Sequence, residues 1–202
     1  MGFKYSLQLL TLALLFSACS PDFLRVHYSR INSAKTAGSP LQLGKDAPGA
    51  FVQRWVFTQA GGFRFDPAEI QLSQGVARLV LTRPGSVRFS NLDLSHGWPF
   101  LAVFKLIETA GPGNQGQLRY QFSPDQSHWY FHESGRWKSA LMNPEQANTA
   151  KELQEKLRTF HQEIGDGQLF IRIFLVAPTG VEKVEIQQLE VHGISPKTDG
   201  WN

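Results

Sequence analysis

The side chains best suited to contact a ligand are concentrated in residues 123–137, SPDQSHWYFHESGRW, which hold two tryptophans, a tyrosine, a phenylalanine and two histidines. The segment HWYF is predicted to be a strand between two turns, so that its side chains alternate between two faces. Trp129 and Phe131 share one face, which we expect to be buried against the core. The opposite face is expected to be available to a ligand, and it holds three side chains: His128, Tyr130 and His132. The alternative is a sugar-binding platform on which the tryptophan rings lie exposed.

A second candidate is the predicted loop Ser95-His96-Gly97-Trp98-Pro99. His96 could orient a bound molecule there, and Trp98 adds an aromatic ring beside it. A single histidine in a loop is more commonly just exposed to solvent, and that alternative stays open. We include His96 and Trp98 among the predicted ligand contacts.

A metal centre has little support in the spacing of the potential ligands. His128 and His132 are four residues apart, which on an extended strand separates them by roughly 13 Å, too far to share one metal ion unless a turn folds them together. β-Sandwich modules often carry a structural Ca²⁺ held by loop oxygens, and Asp66 or Asp125 could supply such oxygens. No spacing of the EF-hand type accompanies them. Apart from that Ca²⁺, we expect no cofactor.

No catalytic site is predicted. The sequence contains no nucleophile elbow, no phosphate-binding glycine loop and no cysteine besides Cys19. Many acidic residues are present, but none of them forms a distinct pair of the glycosidase kind: Asp66, Glu69, Asp93, Glu108, Asp125 and Glu133. We therefore expect a protein that is not an enzyme.

The composition indicates one β-rich domain that does not bind nucleic acid. Of the 202 residues, 42% are hydrophobic and 12% aromatic, including fifteen Phe and five Trp, a composition that suits pleated sheets better than helical bundles. The formal net charge is +3, and the basic residues are scattered singly along the chain. A nucleic-acid interface needs a basic patch or stripe, so we expect no nucleic acid as a partner.

The N-terminal segment is predicted to be an export signal. Lys4 supplies the positive charge, residues 7–16 form an apolar run, and the small Ser17 and Ala18 follow it. The run is too short to remain as a membrane-spanning helix. Residues 1–18 are therefore interpreted as a signal peptide.

The end of this signal resembles the lipobox of bacterial lipoproteins. The segment is Leu15-Phe16-Ser17-Ala18-Cys19, in which Phe16 departs from the leucine that the pattern prefers. The resemblance implies that Cys19 is acylated, becomes the first residue of the mature chain and anchors it to a lipid bilayer. Ser20 resembles the sorting signal for the Gram-negative outer membrane. The alternative is a leftover thiol inside a conventional signal peptide.

Residues 19–49, in which Ser, Pro, Gly, Asn and Lys recur without a period, are predicted to be a tether, and residues 195–202 a C-terminal tail. Between them, short apolar segments broken by Gly and Pro predict an all-β, antiparallel β-sandwich (jelly roll) over residues 50–194. The predicted strands are 51–57, 68–73, 76–82, 87–94, 99–108, 118–123, 128–131, 136–138, 168–176 and 181–193. Strand 168–176 is expected to turn its odd-numbered residues inward, and strand 181–193 to contain a bulge near Gln187-Gln188.

One helix interrupts this pattern. Residues 143–160 are predicted to be helical, with Asn143 or Asn148 as the N-cap. Four residues form a single apolar stripe: Ala150, Leu153, Leu157 and Phe160. Charged residues cover the opposite side, which indicates a surface helix lying on the sandwich.

Several motifs of the predicted sandwich belong together: Tyr120-Gln-Phe-Ser-Pro-Asp125, Trp129-Tyr130, Gly135-Arg-Trp137, the helix, Gly167-Gln-Leu-Phe-Ile-Arg-Ile and the earlier Phe65-Asp-Pro-Ala-Glu-Ile70 with Gly75-Val-Ala-Arg-Leu79. Together they resemble a β-sandwich module, of jelly-roll or galactose-binding type, that recurs in bacterial surface and phage-related proteins. Gln126-Ser127 replaces the glycine-rich turn of such modules. The resemblance implies the fold and a module that is not itself catalytic.

Two functions from different classes follow. The first is a non-catalytic binding or adhesion module on a membrane lipoprotein, with glycan or envelope polysaccharide as its ligand. The second is an envelope scaffolding or assembly lipoprotein whose partner is another protein. A carbohydrate-active enzyme is the third alternative. The expected location is the bacterial cell envelope, at the outer membrane.

Overall fold

In a computed structural model, residues 50–57, 62–80, 83–165 and 167–195 are described. Two antiparallel sheets face each other, which confirms the predicted all-β sandwich. The smaller sheet has five strands: β1 (Ala50–Val56), β3 (Ile70–Ser73), β4 (Val76–Leu79), β7 (Ala102–Ala110) and β12 (Glu185–Ile194). The larger sheet has seven strands: β2 (Phe63–Arg64), β5 (Arg88–Leu94), β6 (Trp98–Phe100), β8 (Gln117–Ser123), β9 (Trp129–Glu133), β10 (Arg136–Ala140) and β11 (Gly167–Ala177).

The strand order places the longest strands at the centre of each sheet. The smaller sheet runs β1-β12-β4-β3, with β7 on β12, and the larger runs β10-β9-β8-β11-β5-β2, with β6 on β11. The predicted bulge in β12 is confirmed, because the pairing with β7 shifts register between Ile186 and Gln188. That shift keeps both Ile186 and Leu189 fully buried although they differ in parity.

The apolar run 99–108 is not one strand, as the sequence suggested, but parts of two. Phe100 ends β6 in the larger sheet, and Ala102 begins β7 in the smaller one. Leu101 lies at the change of direction, where its N–H donates to the carbonyl of Ile194 at 2.7 Å. A uniform apolar run hides this break, because both of its halves contribute to the same core.

The predicted helix is present as short pieces: α1 (Ala150–Leu153), a 3-10 turn (Leu157–Thr159) and α2 (Phe160–Ile164). Its apolar stripe is buried as predicted: Ala150, Leu153, Leu157 and Phe160. Asn143 caps a 3-10 turn at Pro144–Gln146, as predicted, but neither Asn143 nor Asn148 caps α1. Thr149 caps α1 in a capping box with Glu152. We call residues 150–164 the helical cover, since it packs against strands of both sheets and its stripe completes the core.

A second segment, residues 141–149, crosses the outer face of the larger sheet, and we call it the strap. The buried Gln121 of β8 donates its side-chain amide to the carbonyls of Leu141 at 2.7 Å and Gln146 at 2.8 Å. Ala147 of the strap packs on Phe174 and Val176 of β11. The sequence predicts that only one face of β11 is buried, but the strap covers the outer face as well. Both faces are buried, from Leu169 to Ala177.

Candidate functional site

Trp129 is buried, as predicted, but on the outer face of the larger sheet and not in the central core. The guanidinium carbon of Arg172 lies 4.0 Å from the centre of its ring. The indole N–H donates to the carbonyl of Gln126 at 3.1 Å. Both the apolar ring and its polar group therefore have partners within the protein, which fits packing better than a sugar-binding platform.

The opposite face of β9 is largely covered, so the expectation that it is available to a ligand was wrong for His132 and in part for Tyr130, whereas His128 is exposed as expected. Tyr130 is half-buried and packs edge-on against Phe160 of the helical cover, with ring centres 6.3 Å apart. His132 is 9% exposed, and its ring lies 5.5 Å from that of Trp137. The physical reason is the helical cover, which lies over this face. Tyr130 and His132 thus contribute to packing in this arrangement.

The surroundings of His132 disfavour its charged form. Asn148 holds its backbone, accepting from the N–H at 2.7 Å and donating to the carbonyl at 2.8 Å. In the part of the chain that the structure describes, the buried Nδ1 of His132 has no hydrogen-bond partner. Burial lowers the pKa of His132, and the ammonium of Lys156 lowers it further, while Glu163 acts in the opposite direction.

The remaining predicted contacts come together at one end of the larger sheet. We call this region, residues 62–64, 94–98 and 123–128, the loop end. Gln126 connects its three segments: its side-chain amide donates to the carbonyls of Ser95 at 3.2 Å and Leu94 at 3.4 Å, and its side-chain oxygen accepts from Arg64. The backbone of Gln126 is left-handed, with φ of 65°. This strained conformation directs its side chain across the loops.

Three predicted contacts are exposed at the loop end: His96, Trp98 and His128. The indole of Trp98 is 40% exposed although β6 fixes its backbone by pairing with Leu169. Gly97 allows the chain before β6 to lie close to the ring of Phe170 on β11, since a Cβ there would lie 2.5 Å from a ring carbon of Phe170. The Nδ1 of His96 lies 2.9 Å from the hydroxyl oxygen of Ser95. The loop end therefore exposes one aromatic ring, on a backbone that β6 holds in place, and two imidazole groups.

Asp125 organises the turn that carries His128. Its Oδ1 accepts from the N–H groups of Ser127 and His128, both at 2.8 Å. Its Oδ2 lies 2.7 Å from Nδ1 of His128. The hydrogen bond with the His128 ring, together with the backbone donors, holds the pKa of Asp125 well below its usual range. A Ca²⁺ ion at Asp125 would have to compete with all of these donors.

Asp66, the other candidate calcium ligand, also has a hydrogen-bond partner within the protein. The Oδ1 of Asp66 accepts from the N–H of Ala68 at 2.8 Å, as in a turn. Among the residues that the structure describes, no group of three His, Cys, Asp or Glu side chains is arranged to hold a metal ion.

Sequence reasoning missed Arg64 and Gln126. Arg64 gave no signal, because it is one of many singly scattered basic residues. Gln126 did give one, since it occupies a turn position where the resembling modules have glycine. A non-glycine residue at such a position suggests that its side chain has a role that offsets the strain.

Two carboxylates away from the loop end, those of Glu185 and Glu108, have partners within the protein. The carboxylate of Glu185, fully buried, contacts Arg78, lies 3.0 Å from the ammonium of Lys183 and accepts from the N–H of Gly113 at 3.2 Å. Glu108 accepts from the hydroxyl of the buried Tyr120 at 2.5 Å. Burial raises the pKa of Glu108. These contacts join strands and loops and leave little of either carboxylate for chemistry with a ligand.

Comparison with protein families, with curated proteins and with solved structures finds no match to this chain. No helix among the described residues is long and apolar enough to cross a membrane. Cys19, the signal peptide and the tether lie outside the described residues.

Proposed function

We propose that the protein is a lipid-anchored lipoprotein of the bacterial cell envelope whose sandwich domain binds glycan without catalysis. The observation that carries this proposal is the exposed side chain of Trp98 in the loop end, a region that also exposes His96, His128 and Arg64. An aromatic ring stacks on the apolar face of a sugar, and the polar groups around it select hydroxyls.

The rigidity of the loop end supports binding with a small entropic cost. Trp98 is held by β6, and Gln126 ties the three segments together before any ligand arrives. A preorganised surface loses less side-chain freedom on binding than a mobile one.

The anchoring part of the proposal rests on the sequence. Cys19 follows an apolar run and two small residues, the pattern of a lipobox, and Ser20 agrees with sorting to the outer membrane. Residues 20–49 would then separate the domain from the bilayer. A glycan-binding domain at such a distance could reach envelope polysaccharide beside the membrane.

A glycan array with the purified full-length protein tests the binding function. We expect saturable binding to at least one glycan, lost in Trp98→Ala and largely kept in Trp98→Phe, which retains an aromatic ring. Phe89→Ala is the matched control, because Phe89 is also on the larger sheet and similarly exposed, at 41% against 40% for Trp98. Absence of binding to all glycans, or equal loss in both alanine variants, contradicts the proposal.

The second candidate function, an envelope scaffold that binds another protein, is favoured by the strap. Leu141 is 74% exposed and Met142 is 59% exposed, although Gln121 and Gln146 hold the backbone of Leu141. Adjacent exposed apolar side chains can mark a site of contact with another protein. Crosslinking in cells that captures a defined envelope protein, lost in Leu141→Ser with Met142→Ser but not in Trp98→Ala, would favour the scaffold.

A further inference from the structure

We propose that His132 is an acid-sensitive switch for the helical cover: when its imidazole takes up a proton, the cover separates from β9 and β10 while the rest of the sandwich stays folded. The inference goes beyond the proposed binding function and does not depend on it. It rests on the position of His132 between the strap and the cover, on the contacts that attach the cover to β10 and on the surroundings of the imidazole.

His132 lies where the strap meets the helical cover. Asn148, near the end of the strap, holds both the N–H and the carbonyl of His132. The next residue, Thr149, caps the first helix of the cover. The ring of His132 packs against Trp137, its partner on β10. A displacement of His132 therefore affects the segment that leads into the cover and the strand to which the cover is attached.

Trp137 attaches the cover to β10 through contacts with three residues. Its backbone N–H donates to the carboxylate of Glu163 at 2.9 Å, and its indole N–H donates to the hydroxyl of Thr159 at 3.1 Å. Its ring centre lies 4.8 Å from that of Phe160. Because the same ring also lies against His132, movement of His132 disturbs all of these contacts together.

The site accommodates the neutral imidazole and not the charged one. Among the described residues, the buried Nδ1 of His132 has no hydrogen-bond partner. In the neutral ring this nitrogen can remain unprotonated, whereas the charged ring carries an N–H on both nitrogens. Nδ1 would then be a buried donor without an acceptor, which is unfavourable. Since the cover lies over this face of β9, water reaches that donor when the cover moves away.

The charged groups that act on His132 among the described residues belong to the cover. Burial and the ammonium of Lys156 lower the pKa of His132, and the carboxylate of Glu163 raises it. The contacts from β10 and the strap, Trp137 and Asn148, are uncharged. Separation of the cover removes Lys156 and the burial together, so the open form binds a proton more readily than the closed form. Acid therefore favours the open form.

Two further titratable side chains belong to the neighbouring elements. Tyr120 of β8 pairs with Asn148 and stays neutral, since burial raises the pKa of its hydroxyl well above its usual range. His161 is a second buried histidine of the cover, with contacts of its own. The test must therefore distinguish His132 from His161.

Hydrogen exchange of the full-length protein in low concentrations of urea, between about pH 7.5 and about pH 5.5, tests the switch. The amides of Trp137 and Lys156, bonded to Glu163 and Leu153, report on the cover, and those of β11 report on the sandwich. We expect the protection of the cover amides to fall below about pH 6.5, by at most about tenfold per pH unit, the limit for one proton. Their exchange should depend less steeply on urea than that of β11, because release of the cover exposes less surface than global unfolding.

Three variants assign the effect to its residue. His132→Gln should abolish the pH dependence of the cover amides, and His161→Gln should retain it. Lys156→Gln should make the decline smaller, because the pKa of His132 in the closed form then lies closer to that in the open form. Lys151→Gln is the matched control, since Lys151 is an exposed lysine of the same cover.

Several results overturn the proposal. One is a decline that persists in His132→Gln or disappears in His161→Gln. Another is a urea dependence of the cover amides as steep as that of β11, because the cover would then not separate by itself. If His132→Gln does not fold, Lys156→Gln decides, and an unreduced decline in that variant overturns the switch. Constant protection of the wild-type cover across this pH range overturns it as well.

Discussion

The side chains of β9 pack on both sides of the larger sheet. Trp129 faces outward and packs beneath Arg172, whereas His132 faces inward towards Trp137 and the helical cover. Alternation along the strand was predictable from the sequence. Which of the two faces was covered by the helix was not, because that depends on contacts with residues far along the chain.

Replacing Trp129 with alanine should destabilise the domain. The substitution removes a buried ring and its contact with Arg172, and such losses cost about 3–5 kcal/mol, enough to threaten a marginally stable domain. Thermal melting measures the effect. Trp98→Ala, at an exposed indole, is the control and should change stability by only about 0.5 kcal/mol. A Trp129→Ala protein that melts like the wild type would show that the ring is not part of the packing.

His132 should make the domain less stable as the pH falls below about 6.5, the ordinary pKa of a histidine. Its pKa in the folded protein is lowered, so the unfolded chain binds the proton first. Stability is then fully present above the unfolded pKa and declines as the pH falls towards the folded pKa. Urea unfolding at a series of pH values measures this decline, which His132→Gln should reduce.

The matched control for that titration is His128→Gln, since His128 is an exposed histidine on the adjacent turn and its replacement should leave the decline in place. Lys156→Gln provides a second check. Removing this ammonium should raise the pKa of His132 towards its ordinary value, measurable by NMR titration of the imidazole. If Lys156→Gln lowers that pKa instead, the electrostatic account of His132 is incorrect.

At the scale of elements, the strands were predictable and their partners were not. Alternating apolar residues located β3, β8 and β11 to within two residues. The sequence pattern predicts the start of a helix where the strap lies. The strap is held instead by Gln121, and nothing in the sequence distinguishes this glutamine from others. The loop end was missed as a unit for the same reason. Gln126 bonds to the carbonyl of Ser95, thirty-one residues away, and no local pattern predicts such a bond.

Gln121→Leu should detach the strap. The substitution leaves the carbonyls of Leu141 and Gln146 without their buried donor, a loss of about 1–3 kcal/mol. Hydrogen exchange should show faster exchange at the amide of Leu141, which Gln146 normally holds at 2.7 Å. Gln117→Leu, at an exposed position of the same strand, should leave this amide protected. Unchanged exchange in Gln121→Leu would mean that other contacts hold the strap.

At the scale of the whole molecule, the proposed anchor and the sandwich domain have separate tasks, and the anchor can be tested alone. Cys19→Ala removes the proposed acylation site, so the protein should leave the membrane fraction or remain unprocessed, without a change in the melting of the domain. Cell fractionation and intact-mass analysis measure this. An unmodified thiol at Cys19 in membrane-bound protein would contradict lipidation.

The burial of β11 on both faces has a consequence for aggregation. From Leu169 to Ala177 the strand reads LFIRIFLVA, a β-prone segment with one charged residue, and such segments join into intermolecular sheets when they are exposed. In the folded domain β11 lies between β8 and β5, so it offers no free edge. Arg172 interrupts the apolar run before folding is complete, and Asp93 satisfies its charge only once β5 has paired with β11. The same arginine therefore protects the unfolded chain and joins two strands of the folded one.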